Sequence, residues 1–271
     1  MRVHLCGVRG STSAPGSDFV GVGGNTSCVA LAHDTGPWCL ILDAGTGIRS
    51  VTDLLDGEPF RGTVLLGHLH LDHTQGLPFF AAADRPDAEV HVVIPEQGVD
   101  AETLIERCYS PPHFPITLGE LLGSWTFDGL DEGVHEIEGF TVTALGVPHA
   151  AGRTLGYRVS DGASAIAYLS DHGPDAHTPS WDAVVELVRG VDALIHDCQF
   201  TAEEQLRLKH YGHCTPQVAL QLAEAADVRR LVMFHHAPTR VDADVDRMAA
   251  ELDPTHVDVI VGREGMELRL P

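Results

Sequence analysis

The sequence predicts an α/β protein in which two β-sheets stack and helices cover their outer faces. Three observations carry this. Short apolar runs bounded by Gly, Pro, Asn and Asp crowd the first half of the chain. A second β-rich set follows after one helix-like segment, and the last third alternates helix-like and strand-like stretches. Two sheets packed together with helices outside would bury strands arranged in this order.

The first strands are RVHLCGV (2–8), TSCVALAH (26–33), WCLILDAG (38–45), GTVLLGH (62–68) and EVHVVIP (89–95). GVDAETLIERCYS (98–110) reads as a helix. The stretch 110–135 is dense in Pro and Gly and weak in strand signal, as expected of a loop over a site. GSWTFDGL (123–130), GVHEIEG (133–139), FTVTALGVPH (140–149), TLGYRVS (154–160) and SAIAYLSD (164–171) form the second set. Helices follow at 178–190, at 201–208 and from 214. Thr201 with Glu204 three residues on makes a capping box. Thr215 can cap the next helix, where Pro216 suits the first turn. A helix at 243–253 and strands at HVDVIVG (256–262) and GMELRLP (265–271) close the chain.

The 271 residues suit a single domain over 1–271, with 44% hydrophobic and 21% charged residues. No apolar run approaches the roughly 18 residues of a membrane span, so no membrane partner is expected. The N-terminus MRVHLCGVRGS does not read as a signal peptide. Cys6, Cys28, Cys39, Cys108, Cys198 and Cys214 form no CxxC pair, so reduced, buried, inert thiols in the cytoplasm are expected. Formal charge is −22, from 17 Lys+Arg against 39 Asp+Glu. Binding of polynucleotides rests on cations meeting phosphates, and Arg229-Arg230 is the densest basic cluster, so a large nucleic-acid partner is disfavoured.

The chemistry is concentrated in GHLHLDHTQGLPFF (67–80). His68 and His70, one residue apart, can point to the same side of an extended segment, and Asp72 and His73 follow. Neutral imidazole and carboxylate are the usual N/O ligands of zinc, which makes a metal site the leading account. TQGLPFF is expected to start a helix that fixes this loop. Further candidates each end an apolar run: His149, Asp171, His196, and His235 with His236.

HLHLDH and the ordered His149, Asp171 and His235 resemble the HxHxDH signature and later ligands of the metallo-β-lactamase superfamily. The likeness spans nearly the whole chain and implies an αββα sandwich with the site at one edge between two mixed sheets. It implies two metal ions, zinc or alternatively Mn2+ or Fe2+. His68, His70 and His149 would hold one, Asp72, His73 and His235 the other, and Asp171 would bridge. RGS, GGNTSC and LILDAGTG, with HDCQFT, GHCTPQVA and LVMFHHAP, are similar to the tRNase Z-like, phosphodiesterase-type branch. That branch implies a histidine, here His213, acting at the scissile phosphate, with Asp197 orienting it. Asp197 stands where the branch often has Glu, and its long basic arm has no counterpart here. With the acidic charge, these departures move the expectation from large RNA to a small-molecule phosphodiester such as a cyclic nucleotide.

The expected mechanism uses a water shared between two ions to attack phosphorus, Asp72 accepting its proton and His213 serving the leaving oxygen. The alternatives are a tRNase Z-like or other nuclease, a lactonase or thioesterase of the same superfamily, and a scaffold that has lost its metal. The likeness also makes a homodimer an expectation. Asp43, ending CLILD, is either a partner for the second N–H of a ligating histidine or a turn former. His236 either faces substrate or packs behind the site, and His172 and His210 are candidates for the pocket. Asn25, Thr26 and Ser27 suit a structural turn, and His177 is ordinary. Pocket walls are expected from loops such as 108–130.

Overall fold

The computed structural model describes residues 1–150, 152–173 and 180–271. Its strands are β1 (Arg2–Gly7), β2 (Cys28–Ala32), β3 (Trp38–Leu42), β4 (Arg61–Leu65), β5 (Glu89–Pro95), β6 (Ser124–Leu130), β7 (Gly133–Ile137), β8 (Phe140–Gly146), β9 (Leu155–Ser160), β10 (Ala165–Leu169), β11 (Ala193–Asp197), β12 (Arg230–Phe234), β13 (Asp258–Val261) and β14 (Glu267–Arg269). They form two seven-stranded sheets, ordered β14-β1-β2-β3-β4-β5-β6 and β13-β12-β11-β10-β9-β8-β7. Each sheet is mixed. β14, β1, β2 and β3 pair antiparallel and β3 to β6 parallel. In the second sheet β7 to β10 pair antiparallel and β10 to β13 parallel.

The period-2 alternation of side chains explains the layering. On β12, Val232 and Phe234 join the core between the sheets, while Leu231 and Met233 face the helices outside. On β4 and just beyond it, Leu65 points inward and Val64 and Leu66 outward. Helices α1 (Val51–Leu54), α2 (Leu71–Thr74) and α3 (Ala101–Glu106) belong to the first half of the chain, and Val51, Ala101 and Ile105 pack on the first sheet's outer face. Helices α4 (Ser180–Val188), α5 (Ala202–Leu208), α6 (Pro216–Ala225) and α7 (Asp242–Ala250) follow. Val184, Leu222 and Met248 cover the second sheet from α4, α6 and α7. The result is the αββα sandwich. Among the described residues no helix is long and apolar enough to cross a membrane.

The caps at Thr201 and Thr215 form as the sequence predicts: each side chain accepts the N–H three residues on, and Thr201 and Glu204 complete the box. Other expectations change. GSWTFDGL, grouped by order along the chain with the second β-rich set, becomes β6 at the edge of the first sheet, where it pairs parallel with β5, so the stretch 110–135 holds a strand as well as a loop. The helix near residue 74 does not begin at TQGLPFF: α2 already contains Asp72 and His73, with His70 at its N-cap position, so two candidate ligands stand on a helical turn. The 98–110 helix shortens to α3, capped by the Asp100 side chain. Cys108 is exposed, whereas the other five cysteines are buried and all six are free. The beginning of the 178–190 helix and His177 lie outside the described residues.

Candidate metal centre

Parallel strands deliver their C-terminal ends to one edge, where α/β folds place their sites. Asp43 follows β3, His68 and His70 follow β4, Asp171 follows β10, Asp197 ends β11 and His235 follows β12. His149 follows β8, which runs in the same sense as β10 because two antiparallel pairings separate them.

The structure brings every predicted ligand together. Donor atoms of His68, His70 and His149 lie within 4.8 Å of one another, and so do those of Asp72, His73 and His235. Asp171 spans the two sets. Its Oδ1 lies 3.4 Å from His149 Nε2 and 3.9 Å from His68 Nε2, while its Oδ2 lies 3.0 Å from His73 Nε2 and 3.3 Å from His235 Nε2. Asp72 Oδ2 lies 3.2 Å from His73 Nε2 and 3.3 Å from His235 Nε2. Tetrahedral ligands about 2.0 Å from zinc stand about 3.3 Å from each other, so this spacing suits a cation between them.

Hydrogen bonding tests the fit independently. His73 Nδ1 donates to Asp43 Oδ2 at 2.6 Å, which leaves Nε2 of the neutral ring as a lone pair facing the oxygens of Asp72 and Asp171. A lone pair buried against carboxylates is costly unless a cation or a proton intervenes. His68 Nδ1 and Nε2, His73 Nε2, Asp171 Oδ2 and His235 Nδ1 are buried without a hydrogen-bond partner among the described residues. Without metal, protons must do this work. Burial opposes a charge on His73, but Asp72, Asp171 and Asp43 outweigh it and hold its pKa well above the ordinary value. Burial, then the His73 charge, drives His68 well below it. The histidine- and carboxylate-rich donor set, buried except at His70 and His149, fits divalent cations.

Supporting contacts orient the ligands. Asp43 Oδ2 also accepts from Tyr168 Oη at 2.7 Å and Ser170 Oγ at 3.1 Å, and Oδ1 accepts from Gly67 N at 2.7 Å. Asp43 is therefore a partner of a candidate ligand as well as the residue after a strand. Ser11 N donates to Asp72 Oδ2 at 2.6 Å. His149 Nδ1 donates to the Gly212 carbonyl at 2.9 Å, tying the His213 loop to the cluster. Gly212 has φ +71° and a Cβ there would meet the His149 backbone at 2.8 Å, so glycine is required. Asp43 and His235 also hold positive φ, 59° and 55°. Such strain gathers at functional sites.

His213 Nδ1 donates to Asp197 Oδ2 at 2.8 Å and lies 3.8 Å from Asp171 Oδ1. Burial pulls the His213 pKa down, but the Asp197 carboxylate overrides it and raises the value to about 9. Asp197 is further anchored by Gln199 N at 2.9 Å.

The remaining histidines separate cleanly. His236 donates to or accepts nothing in the cluster; its Nε2 bonds the Gly262 carbonyl at 3.1 Å, so it packs behind the site. His172 and His196 pair with each other at 2.9 Å in the interior, and neither joins a ligand set. His210 packs at a tilt against Tyr211 at the surface. Asn25 accepts the Val8 and Arg9 N–H groups through its carbonyl, as a structural turn would. Sequence reasoning missed Ser11, Tyr168, Ser170 and Gln199. Tyr168 and Ser170 carried one usable signal: they share the inward face of β10 and its extension with Ile166.

Residues 39–236 match a family model described as the beta-lactamase superfamily domain. The chain belongs to this superfamily. A curated relative, ribonuclease Z of Metallosphaera sedula, is 26% identical over 242 residues, covering 72% of this chain and 78% of that protein. Superfamily structures share the fold. The metallo-beta-lactamase fold protein YhfI from Bacillus subtilis matches at a TM-score of 0.74 and 17% identity, covering 99% of both chains. A diphosphatase of the PhnP family matches at 0.73 and 18% identity, covering 100% of this chain and 98% of that one.

Proposed function

We propose that the protein is a metal-dependent phosphodiesterase, one catalytic unit over residues 1–271, that hydrolyses a small phosphodiester such as a cyclic nucleotide. One observation carries the reading: the His213–Asp197 pair at 2.8 Å adjoins a His/Asp cluster whose central carboxylate faces both ligand sets. His68, His70 and His149 would hold one divalent cation and Asp72, His73 and His235 a second, with Asp171 between. Bound cations would lower the pKa of a water and offset charge on the phosphoryl oxygens.

The chain's own groups do the rest. Asp72, held by the Ser11 N–H, is the carboxylate available to take a proton from the attacking water. His213 is protonated at neutral pH, and with Nδ1 engaged by Asp197 its Nε2–H is free to donate to the leaving oxygen. A thioester, whose thiolate leaves unaided, has less need of such an acid than a phosphodiester with an alkoxide leaving group.

Charge supports a small substrate. Arg229 and Arg230, the densest basic pair, are engaged by Asp192 and Asp258. That leaves a chain of −22 with little to offer a polynucleotide backbone. A second reading, ribonuclease Z activity, is favoured by the name of the Metallosphaera sedula relative. The test is a panel of bis-p-nitrophenyl phosphate, cyclic nucleotides, a homoserine lactone and pre-tRNA, each with defined metal. Turnover of the small diesters over lactone and pre-tRNA supports the proposal. Preference for pre-tRNA selects the second reading, and preference for the lactone removes both.

A further inference from the structure

A cavity of about 320 Å3 opens beside the cluster. It is lined by His68, Leu69 and His70 and, from the segment around α3, by Val99, Leu104 and Arg107. The expected 108–130 loop does not contribute to this wall. Gln97 and the Arg153 backbone exchange two hydrogen bonds, at 3.0 and 3.2 Å, which fix the segment before α3 against the start of β9. The cavity is thus a built feature of the fold, continuous with two candidate metal ligands.

Its two cations differ. Arg153 is already neutralised: Nη1 donates to Asp131 Oδ1 at 2.7 Å and to the Glu96 carbonyl at 3.3 Å, and Nη2 lies 3.7 Å from Glu132. The Arg107 side chain is exposed and, among the described residues, its guanidinium makes no hydrogen bond or ion pair. In a chain with 39 acidic against 17 basic residues, an unpaired guanidinium lining a cavity at the cluster is a group kept for a ligand. A guanidinium binds phosphate or carboxylate through two parallel N–H donors.

We propose that this cavity receives one ester arm of the substrate and that Arg107 binds a second anionic group on that arm. Leu69, Val99 and Leu104 then lie against the arm's carbon skeleton. The substrate class becomes a phosphodiester with a further phosphate or carboxylate on one side. This rests on the phosphodiesterase reading and adds the substrate's second charge to it.

The test uses metal-loaded protein and thymidine 5′-(p-nitrophenyl phosphate) with a 3′-hydroxyl, 3′-phosphate or 3′-carboxymethyl group, and measures binding of thymidine 3′,5′-bisphosphate by calorimetry. A charge-assisted contact should raise kcat/KM for an anionic arm about 10-fold to 100-fold over the hydroxyl compound. Arg107→Gln should bring that ratio near one and weaken bisphosphate binding by a similar factor, and Arg107→Lys should restore part of both. The better of the two anions identifies the natural group. Arg61→Gln, at the opposite end of β4, should leave the ratio as in the wild type. A wild-type ratio near one, or a ratio and bisphosphate affinity that survive Arg107→Gln, overturns the inference. If none of the three esters is hydrolysed, the phosphodiesterase reading fails instead, and bisphosphate binding still reports on Arg107.

Discussion

Asp43 accepts the Nδ1 proton of His73 at 2.6 Å, with both side chains wholly buried. This contact sets which ring nitrogen of His73 faces Asp72 and Asp171, and partners of this kind tune metal affinity as strongly as many ligands do. Asp43→Asn keeps a side chain that tolerates the positive φ but removes the charge. Metal affinity should fall about 10-fold to 100-fold, read by competition with a chromogenic chelator. Unchanged affinity would show that His73 needs no such partner.

His213→Asn should lower turnover of a phosphodiester by about 100-fold to 10,000-fold with metal content unchanged. Its protonated form is the active one and Asp197 lifts its pKa to about 9, so activity should fall as pH rises towards that value. Cations in the adjoining clusters lower the value, placing the alkaline limb at or below pH 9. Asp197→Asn should move the limb to lower pH, and a limb insensitive to both variants would remove His213 from that role.

The same pair bears on the stability of metal-free protein. The folded pKa of about 9 exceeds the ordinary 6.5, so the stabilisation is complete below pH 6.5 and is lost as pH rises through 9. The urea midpoint of the metal-free wild type should therefore drop over this window, and the drop should shrink in His213→Asn.

Metal loading should release protons. Metal-free His73 is held charged by burial-opposing carboxylates, and a cation must displace that proton. Affinity should weaken as pH falls, and the calorimetric heat of loading should vary with the ionisation heat of the buffer. A heat independent of buffer would contradict the protonated apo cluster.

Gly10 marks a steric dependency. A Cβ at this position would stand 2.3 Å from His235 Nδ1 and Cε1 and from Gln199 Oε1. On the proposed two-ion reading, Gly10→Ala should displace His235 and lower bound metal from two ions per chain towards one by elemental analysis, with the His68, His70 and His149 set retained. Two tightly held ions in this variant would separate His235 from metal binding.

Tyr168→Phe keeps the ring in the core between the sheets and removes one hydrogen bond to Asp43. The expected loss is about 2 kcal/mol in unfolding free energy, since the acceptor is a carboxylate, measured by urea titration. A loss several times larger would mean that the hydroxyl holds the two sheets together.

The legible part of this protein was local. Caps at Thr201 and Thr215 sit next to the N–H groups they satisfy, so the sequence alone contains both partners. Strand ends carrying His68, Asp171 and His235 could be read because an apolar run and the polar residue that stops it are contiguous. The superfamily likeness then sorted these residues into sets, and the chain folds with those sets adjacent. What stayed hidden lies between segments distant in sequence. Asp171 presents one oxygen to each set because β10 stands between the paths of β8 and β12, a matter of sheet order. Tyr168 reaches Asp43 across two sheets, 125 residues away. The cavity wall comes from 97–107 because two hydrogen bonds dock that segment on Arg153, which no spacing along the chain records. Local chemistry determined which residues this protein offers; the stacking of its two sheets decided which of them meet, since those contacts are made through space by side chains that chain order does not bring together.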